Sequence, residues 1–582
     1  MKSTKTKLCT AILATILATS FTACGGGGSG GSDVPTVVTV TKTLRENSTT
    51  YSNKLFCYDP QTTEGDKKEE ICNIRMYQIM VEAFYNGDND INYGVGYGPS
   101  KHNGDIQGVI EKLKYIKGLG INAIWLTPVF QSAGNGEPVT ALDATGYFGE
   151  DYFKVDPHFG SEDVLHTLVN EAHAKGMYVF LDGVFGHFKS SINRTSPEMI
   201  NLVTTSTCRT TYGTCEVGEK DTPCPPIGNL CADYSQEATL EFFKEVATHY
   251  ITEYKIDGWR LDQAYQVPVS DWKKIREAVE AAAAVTTYQD QHGEDVHPLG
   301  YMVGEIWDGE QQIKDYGYGS NTTPGLKSNF DFNTRYGIVQ ALAVEESGAS
   351  NHSATFIRDK LKTAESVYPK IATPNYFLGN HDLVRFGDLI QRAQKLGALK
   401  KQNYFKRYKM AHSVIAALSG PVTLYYGDEW GQEVPNFDVK KRDCNGVYCE
   451  DHVARTTGQF DGFNADQENL KSFVTKLMEL RDKSKAISMG KMIDLGTDEN
   501  VFVVKKTYGD SDVLVLINIQ DNKQVDIDFD ASLFSDAAAE NSVSVLTSEN
   551  FDEPETLLPE GTTYKLSLEP LTAAIVFIPP SN

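Results

Sequence analysis

The chain has no excess of positive charge. Its 54 Lys and Arg stand against 78 Asp and Glu, a formal net charge of −24 at pH 7. That argues against nucleic acid or an anionic membrane as a partner held by bulk electrostatics, and it suits a neutral polymer or small neutral substrate. The apolar run at residues 8–21 is too short to read as a spanning helix of the mature protein. No CxxC pair occurs. The four cysteines between 208 and 231 are spaced by seven to nine residues, which does not suit a zinc knuckle. No glycine-rich loop follows the first strand candidate, so a phosphate-binding, doubly wound sheet has no support at its usual place. What is present is a soluble globular composition, 40% hydrophobic and 23% charged, over 582 residues, enough to bury a large core and more than one domain.

Lys2, Lys5 and Lys7 precede the apolar run, which ends Phe21-Thr22-Ala23-Cys24 before a Gly/Ser stretch at residues 25–32. This resembles a bacterial lipoprotein signal, in which a Cys is lipidated and followed by a flexible tether. Phe21 stands where Leu is usual, so simple secretion is the alternative. The expectation is export, with anchorage to the cell envelope through Cys24 as the sole membrane contact. The cysteines agree with export. Apart from Cys9 and Cys24 they form local groups: Cys57 and Cys72; Cys208, Cys215, Cys224 and Cys231; Cys444 and Cys449. Even, local groups in an exported chain read as disulfides. Cys57–Cys72 and Cys444–Cys449 are the simplest pairs, and the middle four allow three connectivities.

Behind a signal at 1–24, residues 25–70 read as a tether and an N-terminal extension. From Ile74 strand and helix candidates alternate over most of the chain. The strands fall at 75–84, 123–127, 177–181, 256–262, 301–303, 328–332, 375–378 and 422–426. Helical spacing separates most of them, for example at 106–119, 164–175, 237–254 and 404–418. The series predicts a parallel (β/α)8 TIM barrel over 71–487. Residues 188–234 break the rhythm and read as an inserted, helix-free, disulfide-held excursion after the third strand. Beyond 488 short strands separated by turn residues predict a C-terminal antiparallel β-sandwich.

In such a barrel, polar residues at C-terminal strand ends converge on one face. The third strand ends in Asp182, with His187 five residues on; the fourth in Arg260 and Asp262; the fifth in Glu305; the seventh in His381 and Asp382. Singly, each has an ordinary role as a cap or strand-end pair. Together they would be costly to bring to one mouth without chemistry to serve. Arg260 and Asp262 lie two apart on a strand, so they point to one side, and the guanidinium favours an ionised Asp262. Glu305 stands among Val303, Ile306 and Trp307, where desolvation would raise its pKa. Two carboxylates with different protonation are the apparatus of glycoside hydrolysis.

Leu181-Asp182-Gly183-Val184-Phe185-Gly186-His187, Gly258-Trp259-Arg260-Leu261-Asp262, Val303-Gly304-Glu305-Ile306-Trp307 and Phe377-Leu378-Gly379-Asn380-His381-Asp382 together resemble the four motifs of the α-amylase superfamily, glycoside hydrolase family 13. The resemblance implies that Asp262 is the nucleophile, Glu305 the general acid/base and Asp382 the transition-state stabiliser. It implies that Tyr147, Asp182, His187, Arg260 and His381 bind the sugar at the cleavage point. Two departures stand out. Gly186 replaces the family's usual Asn, and Tyr265-Gln266 replaces its usual Lys-His, which puts in doubt a structural calcium site shared with Asp233 and the usual leaving-side subsite. A different calcium loop, of the kind found in cyclodextrin-acting and neopullulanase-like members, is resembled by Asn86, Asp88, Asn89 and Asp90 with Asn103 and Asp105. The implied activity is retaining cleavage of α-1,4 bonds in starch-like glucans. The alternatives are an exo-acting, cyclomaltodextrinase-like or transglycosylating enzyme on short α-glucosides, and, from another class, a surface glycan-binding lipoprotein with an inactive barrel.

Overall fold

The computed structural model describes residues 37–45, 51, 54–59, 67–134, 136–192, 196–219, 224–226, 228–399, 403–434, 437, 452–535 and 542–578. The expected signal with Cys24, the tether and the Cys444–Cys449 pair lie outside the described residues. No helix among the described residues is long and apolar enough to cross a membrane.

Eight parallel strands close into a barrel in chain order: Arg75–Ile79, Ala123–Leu126, Tyr178–Gly183, Gly258–Leu261, Tyr301–Gly304, Ser328–Phe330, Thr373–Phe377 and Val422–Tyr425. The last pairs with the first, Val422 opposite Arg75. Side chains alternate in and out of the barrel wall. On the fourth strand Trp259 points outward and packs on Phe130, Phe185 and Tyr250, while Arg260 is fully buried inside. Gly258 has φ +148°, and a Cβ there would lie 1.8 Å from Tyr301 O, so only glycine lets the fourth and fifth strands approach. Met76, Trp125, Phe180, Val303, Phe330 and Phe377 belong to one cluster of the core. Above it, polar residues take over at the C-terminal strand ends.

Three expectations change. The first strand ends at Ile79, not Phe84; Val81–Phe84 is a turn of helix whose Val81 N–H donates to Thr127 Oγ1 at 3.0 Å. A continuous apolar run does not separate a strand from a buried helical turn. In the insert, Pro197–Asn201 is a short 3-10 turn with proline at its start. Its other described elements are β: His187–Lys189, Asn229–Ala232 and Thr204–Thr205 form one small sheet, and Thr207–Thr210 pairs with Gly213–Glu216 as a hairpin. Disulfides join Cys57 to Cys72, Cys208 to Cys231 and Cys215 to Cys224, which selects one of the three connectivities left open for the middle four.

The third change concerns the sandwich. Its six-stranded sheet holds Lys491–Asp494, Val501–Tyr508, Ser511–Asn518, Thr572–Phe577, Val543–Thr547 and Glu555–Leu557. Facing it, Lys523–Asp530 and Thr563–Leu568 are joined by Val38–Leu44, which pairs parallel with Lys523–Asp530. A segment expected to be extension is therefore an edge strand of the sandwich. Val501, Val503, Leu514 and Leu516 fill the sandwich interior, whereas Phe502, Val504, Val515 and Ile517 belong to the large core cluster of the barrel. The period of two thus buries both faces of this sheet.

Candidate active site

The strand register places Arg260 directly opposite Asp182 on one side and Val303 on the other. Arg260 Nη1 donates to both oxygens of Asp182 at 2.8 Å and to Asp262 Oδ1 at 3.1 Å. Its Nη2 lies 2.7 Å from Glu305 Oε2 but lacks the alignment of a hydrogen bond. One guanidinium therefore serves three buried carboxyl groups. Burial raises Asp182 to about 6 and both Asp262 and Glu305 to about 7, with Arg260 opposing the rise in each. Three acids around one cation cannot all ionise without leaving a buried charge unpaired, so the cluster retains a proton near neutrality. The sequence expectation of an apolar Glu305 is modified: Val303 and Ile306 are buried beside it, but Trp307 is 47% exposed and Arg260 is its nearest charge.

Asp262 shows an asymmetry between its oxygens. Oδ1 is held by Arg260, while Oδ2 is buried with no hydrogen-bond partner, 3.8 Å from His187 Nε2. Asp182 is the reverse. Expected to contact substrate, it gives both oxygens to Arg260 and also accepts Tyr147 Oη–H at 2.8 Å and Trp125 Nε1–H at 3.2 Å. It orients Arg260 and has no oxygen turned outward.

The two histidines are neutral, and their tautomers follow from their partners. Gln266 Oε1 can only accept, so His187 Nδ1 carries the proton of their 2.9 Å bond and Nε2 faces Asp262 as an acceptor. Gln78 Nε2 donates to His381 Nδ1 at 2.6 Å, so His381 Nε2–H points at Tyr147 Oη, 2.8 Å away, and at Asp382 Oδ2, 3.1 Å away. Burial lowers His187 to about 4 and His381 to about 3. Tyr147 lies parallel to His381, 9° between planes and 5.4 Å between centroids.

Asp382 takes the opposite shift. Burial alone would raise it, but His381, Arg455 and Arg260 hold it below the usual carboxylate range; His381 is itself neutral, so the permanent charges are the arginines. Arg455 Nη2 donates to Asp382 Oδ1 at 2.6 Å and Nε to His381 O at 3.2 Å, while Nη1 is buried without a partner. Sequence reading missed Arg455, which lies on no strand end and in no periodic pattern. It also missed Gln263. This residue adopts left-handed φ 39°, ψ 52° directly after Asp262, with its N–H 3.4 Å from Glu305 Oε2 and its side chain accepting from Tyr265 Oη and Gln266 Nε2. A non-glycine residue in that conformation is strain placed beside the reacting groups.

The model of the alpha amylase catalytic domain matches residues 78–201 and 232–490. The chain belongs to the alpha-amylase family. It is a glycoside hydrolase by that membership. A cyclomaltodextrinase of Geobacillus thermopakistaniensis is 28% identical over 508 residues, 83% of this chain and 74% of its own length. Neopullulanase 2 of Thermoactinomyces vulgaris is 25% identical over 476 residues, 77% of this chain and 70% of its own length. Among solved structures, AmyP in complex with maltose is 39% identical with a TM-score of 0.77, covering 90% of this chain and 100% of AmyP.

The two departures from the alpha-amylase pattern explain each other. A Cβ at Gly186 would lie 2.1 Å from Gln266 Oε1 and 2.4 Å from Gln266 Cβ. The Gln266 side chain thus fills the room that an Asn at 186 would need, and it orients His187 from there. Asp233, the other ligand implied, accepts Ser235 N–H at 3.0 Å and Ser235 Oγ–H at 2.6 Å as a local turn. The oxygen set for that calcium does not fit. The other loop offers a better set. Asp105 caps the helix Ile106–Gly118 through Gly108 N and also accepts from Gly87 N and Asp88 N, drawing the loop closed. Asn86 Oδ1 is buried without a partner, and burial raises Asp105. Asn89 Oδ1 accepts from Asn86 Nδ2 at 3.3 Å, and Asp88 Oδ1 from Asp90 N at 2.9 Å. Asn103 is half-buried beside Asp105. An orphaned amide oxygen among carboxylates suits a hard cation, although no group of three His, Cys, Asp or Glu among the described residues converges as a metal site.

Proposed function

We propose that the protein is a retaining hydrolase of α-1,4-glucosidic bonds in starch-like glucans or maltooligosaccharides. The observation that carries this reading is Asp262: one oxygen pinned by Arg260, the other bare and buried. A pinned carboxylate with one free oxygen is pre-aimed for attack on an anomeric carbon. Asp262 Oδ2 forms the bond to that carbon as the glycosidic bond breaks, and Glu305 gives its proton to the departing oxygen. Glu305, then ionised, takes a proton from water, which attacks the same carbon and releases Asp262. Asp382, held ionised, balances positive charge developing on the sugar. His187 Nε2, His381, Tyr147 and Arg455 Nη1 border the sugar's position, and Asp182 fixes Arg260.

The relatives named cyclomaltodextrinase and neopullulanase favour a second reading, in which short or cyclic glucans are preferred over starch. Product analysis on starch, pullulan, cyclodextrin, maltose and sucrose separates the two. Faster release of sugar from starch than from cyclodextrin supports the first; the reverse supports the second; no release from any α-glucan removes both.

Arg455 is proposed to position and ionise Asp382. Arg455→Ala is expected to lower kcat by about 100-fold. Loss of the cation raises Asp382, so the acid limb of the pH–rate profile moves to higher pH, and Arg455→Lys restores part of both. An unmoved acid limb would count against the role.

Calcium at the loop of Asn86, Asp88, Asn89, Asp90, Asn103 and Asp105 is proposed on the orphaned Asn86 oxygen. Saturating Ca²⁺ after chelation is expected to raise Tm by about 5 °C, the size that binding to the native state alone supports. Asn86→Ala should abolish the shift; a wild-type Tm indifferent to Ca²⁺ removes the site. Export with lipidation at Cys24 is proposed from the sequence alone, and the mass of the mature N-terminus tests it.

A further inference from the structure

One hairpin of the insert touches the segments that follow the fourth and fifth barrel strands. It turns at Thr211 and Tyr212, between paired residues Thr210 and Gly213. Cys208–Cys231 and Cys215–Cys224 anchor both strands of the hairpin, one disulfide to each. Arg209, on the first strand, points Nε at Tyr265 O, 3.5 Å away. Tyr212 at the tip is 78% exposed, yet its hydroxyl is not idle: it donates to Asp308 Oδ1 at 3.0 Å. Asp308 stands three residues after Glu305 and accepts Gly309 N–H through the same oxygen. Both contacts of the hairpin therefore go to segments that directly follow reacting carboxylates, Tyr265 after Asp262 and Asp308 after Glu305.

A single exposed aromatic is ordinary on a protein surface, so exposure by itself says nothing about Tyr212. Here the ring is fixed by its hydroxyl and by a disulfide-anchored hairpin, so little side-chain freedom remains to be lost when a ligand meets it. A pyranose ring presents a face of C–H groups that packs on such a ring. Glu305 protonates the departing oxygen, so the segment after it borders the departing part of the glucan.

We infer that Tyr212 is a specificity-determining residue that stacks a glucosyl unit of the departing chain, beyond the sugar bound next to the broken bond. The inference rests on the functional reading above. The hairpin borders the leaving side, where Tyr265-Gln266 stands in place of the usual Lys-His. It also ties product pattern to the insert's disulfides, since they set where the ring stands.

The test compares wild type, Tyr212→Ala and Tyr212→Trp on maltoheptaose and on p-nitrophenyl α-maltoside, whose single-ring leaving group takes the place of the sugar next to the broken bond and carries no glucosyl unit beyond it. Covering roughly 40 Å² of apolar surface supports about a fivefold effect. Tyr212→Ala is therefore expected to raise KM for maltoheptaose about fivefold and to shift the bond cleaved, with kcat/KM for the aryl maltoside within about twofold of wild type. Tyr212→Trp restores the maltoheptaose values. Equal losses on both substrates would mark the tip as a structural brace and overturn the inference. So would an unchanged KM and cleavage pattern in Tyr212→Ala. Wild type that turns over neither substrate would remove the functional reading itself, a result visible before any variant is made.

Discussion

Asp262→Asn is expected to lower kcat on maltooligosaccharides by at least about 10⁴-fold, the scale seen when a nucleophile is removed from a site whose other parts remain. The argument starts from the neighbours of each oxygen. An amide keeps the shape of the carboxyl group and can keep its Oδ1 against Arg260 Nη1. It puts a weakly nucleophilic NH2 where the bare Oδ2 stood. Nothing else nearby can replace it: Asp182 is taken on both oxygens, and Asp382 is bound by Arg455. The same substitution should stabilise the fold at neutral and higher pH. Burial raises the carboxyl groups around Arg260 above their unfolded values, so the stability that comes with their shared proton is present below the unfolded pKa and lost as pH rises through about 7. The variant has one acid fewer around that cation. Its Tm should exceed that of wild type at about pH 8, with the gap narrowing as the pH falls toward about 5. Near-normal turnover would reject the nucleophile; a Tm gap that widened on acidification would reject the account of the buried charge.

That pairing of lost activity with gained stability follows from how the site is built. One cation, Arg260, lies among three acids, and the barrel interior around it is apolar. A fold under no catalytic demand has no reason to keep that arrangement, because apolar residues of similar volume would serve as well. The acids are kept ionisable at different pH by where cations stand. Arg455 is added for Asp382 alone, which is why that carboxyl moves down while Asp262 and Glu305 move up.

Much of this was legible in the sequence because it depends on short-range periodicity. That Arg260 and Asp262 share a side follows from the alternation of a strand. That Asp182, Asp262, Glu305 and Asp382 meet follows from the rule that strand ends of a barrel converge. What was not legible depends on long-range register or on loops. Asp182 meets Arg260 only because the third and fourth strands pair in one register of several, and that register turns a supposed substrate contact into an anchor. Gly186 and Gln266 were visible as two separate departures; their mutual fit needs the backbone path of both loops. Arg455 arrives from an irregular segment after the eighth strand, where neither period nor capping residues mark its destination. Val38–Leu44 alternates as a strand should, but its partner is nearly 500 residues away by order of magnitude, with Val38 opposite Lys523, and no local signal names such a partner.

Glu305→Gln separates the acid from the nucleophile. It is expected to lower kcat on maltooligosaccharides by about 10³-fold, the upper part of what a positioned general acid supplies. The loss should be far smaller, within about tenfold, on α-maltosyl fluoride, because fluoride departs without a proton. The pH dependence carries a second signature. Burial raises Glu305 to about 7, so the protonated form is lost as pH climbs through that value, and wild-type activity should fall on the alkaline side. A glutamine cannot ionise, so the alkaline limb should flatten in the variant while the acid limb, set by the group that must be ionised, remains. The geometry gives a reason to expect the limb at Glu305 rather than at its neighbour. Arg260 Nη2 lies close to Glu305 Oε2 without a formed hydrogen bond, whereas Arg260 Nη1 holds Asp262 Oδ1 in one. The aligned bond favours the charged form of Asp262 and leaves the shared proton on Glu305. Equal losses on the fluoride and on maltooligosaccharides would place the proton elsewhere. An alkaline limb that survived the substitution would assign it to Asp262 and reverse the two roles.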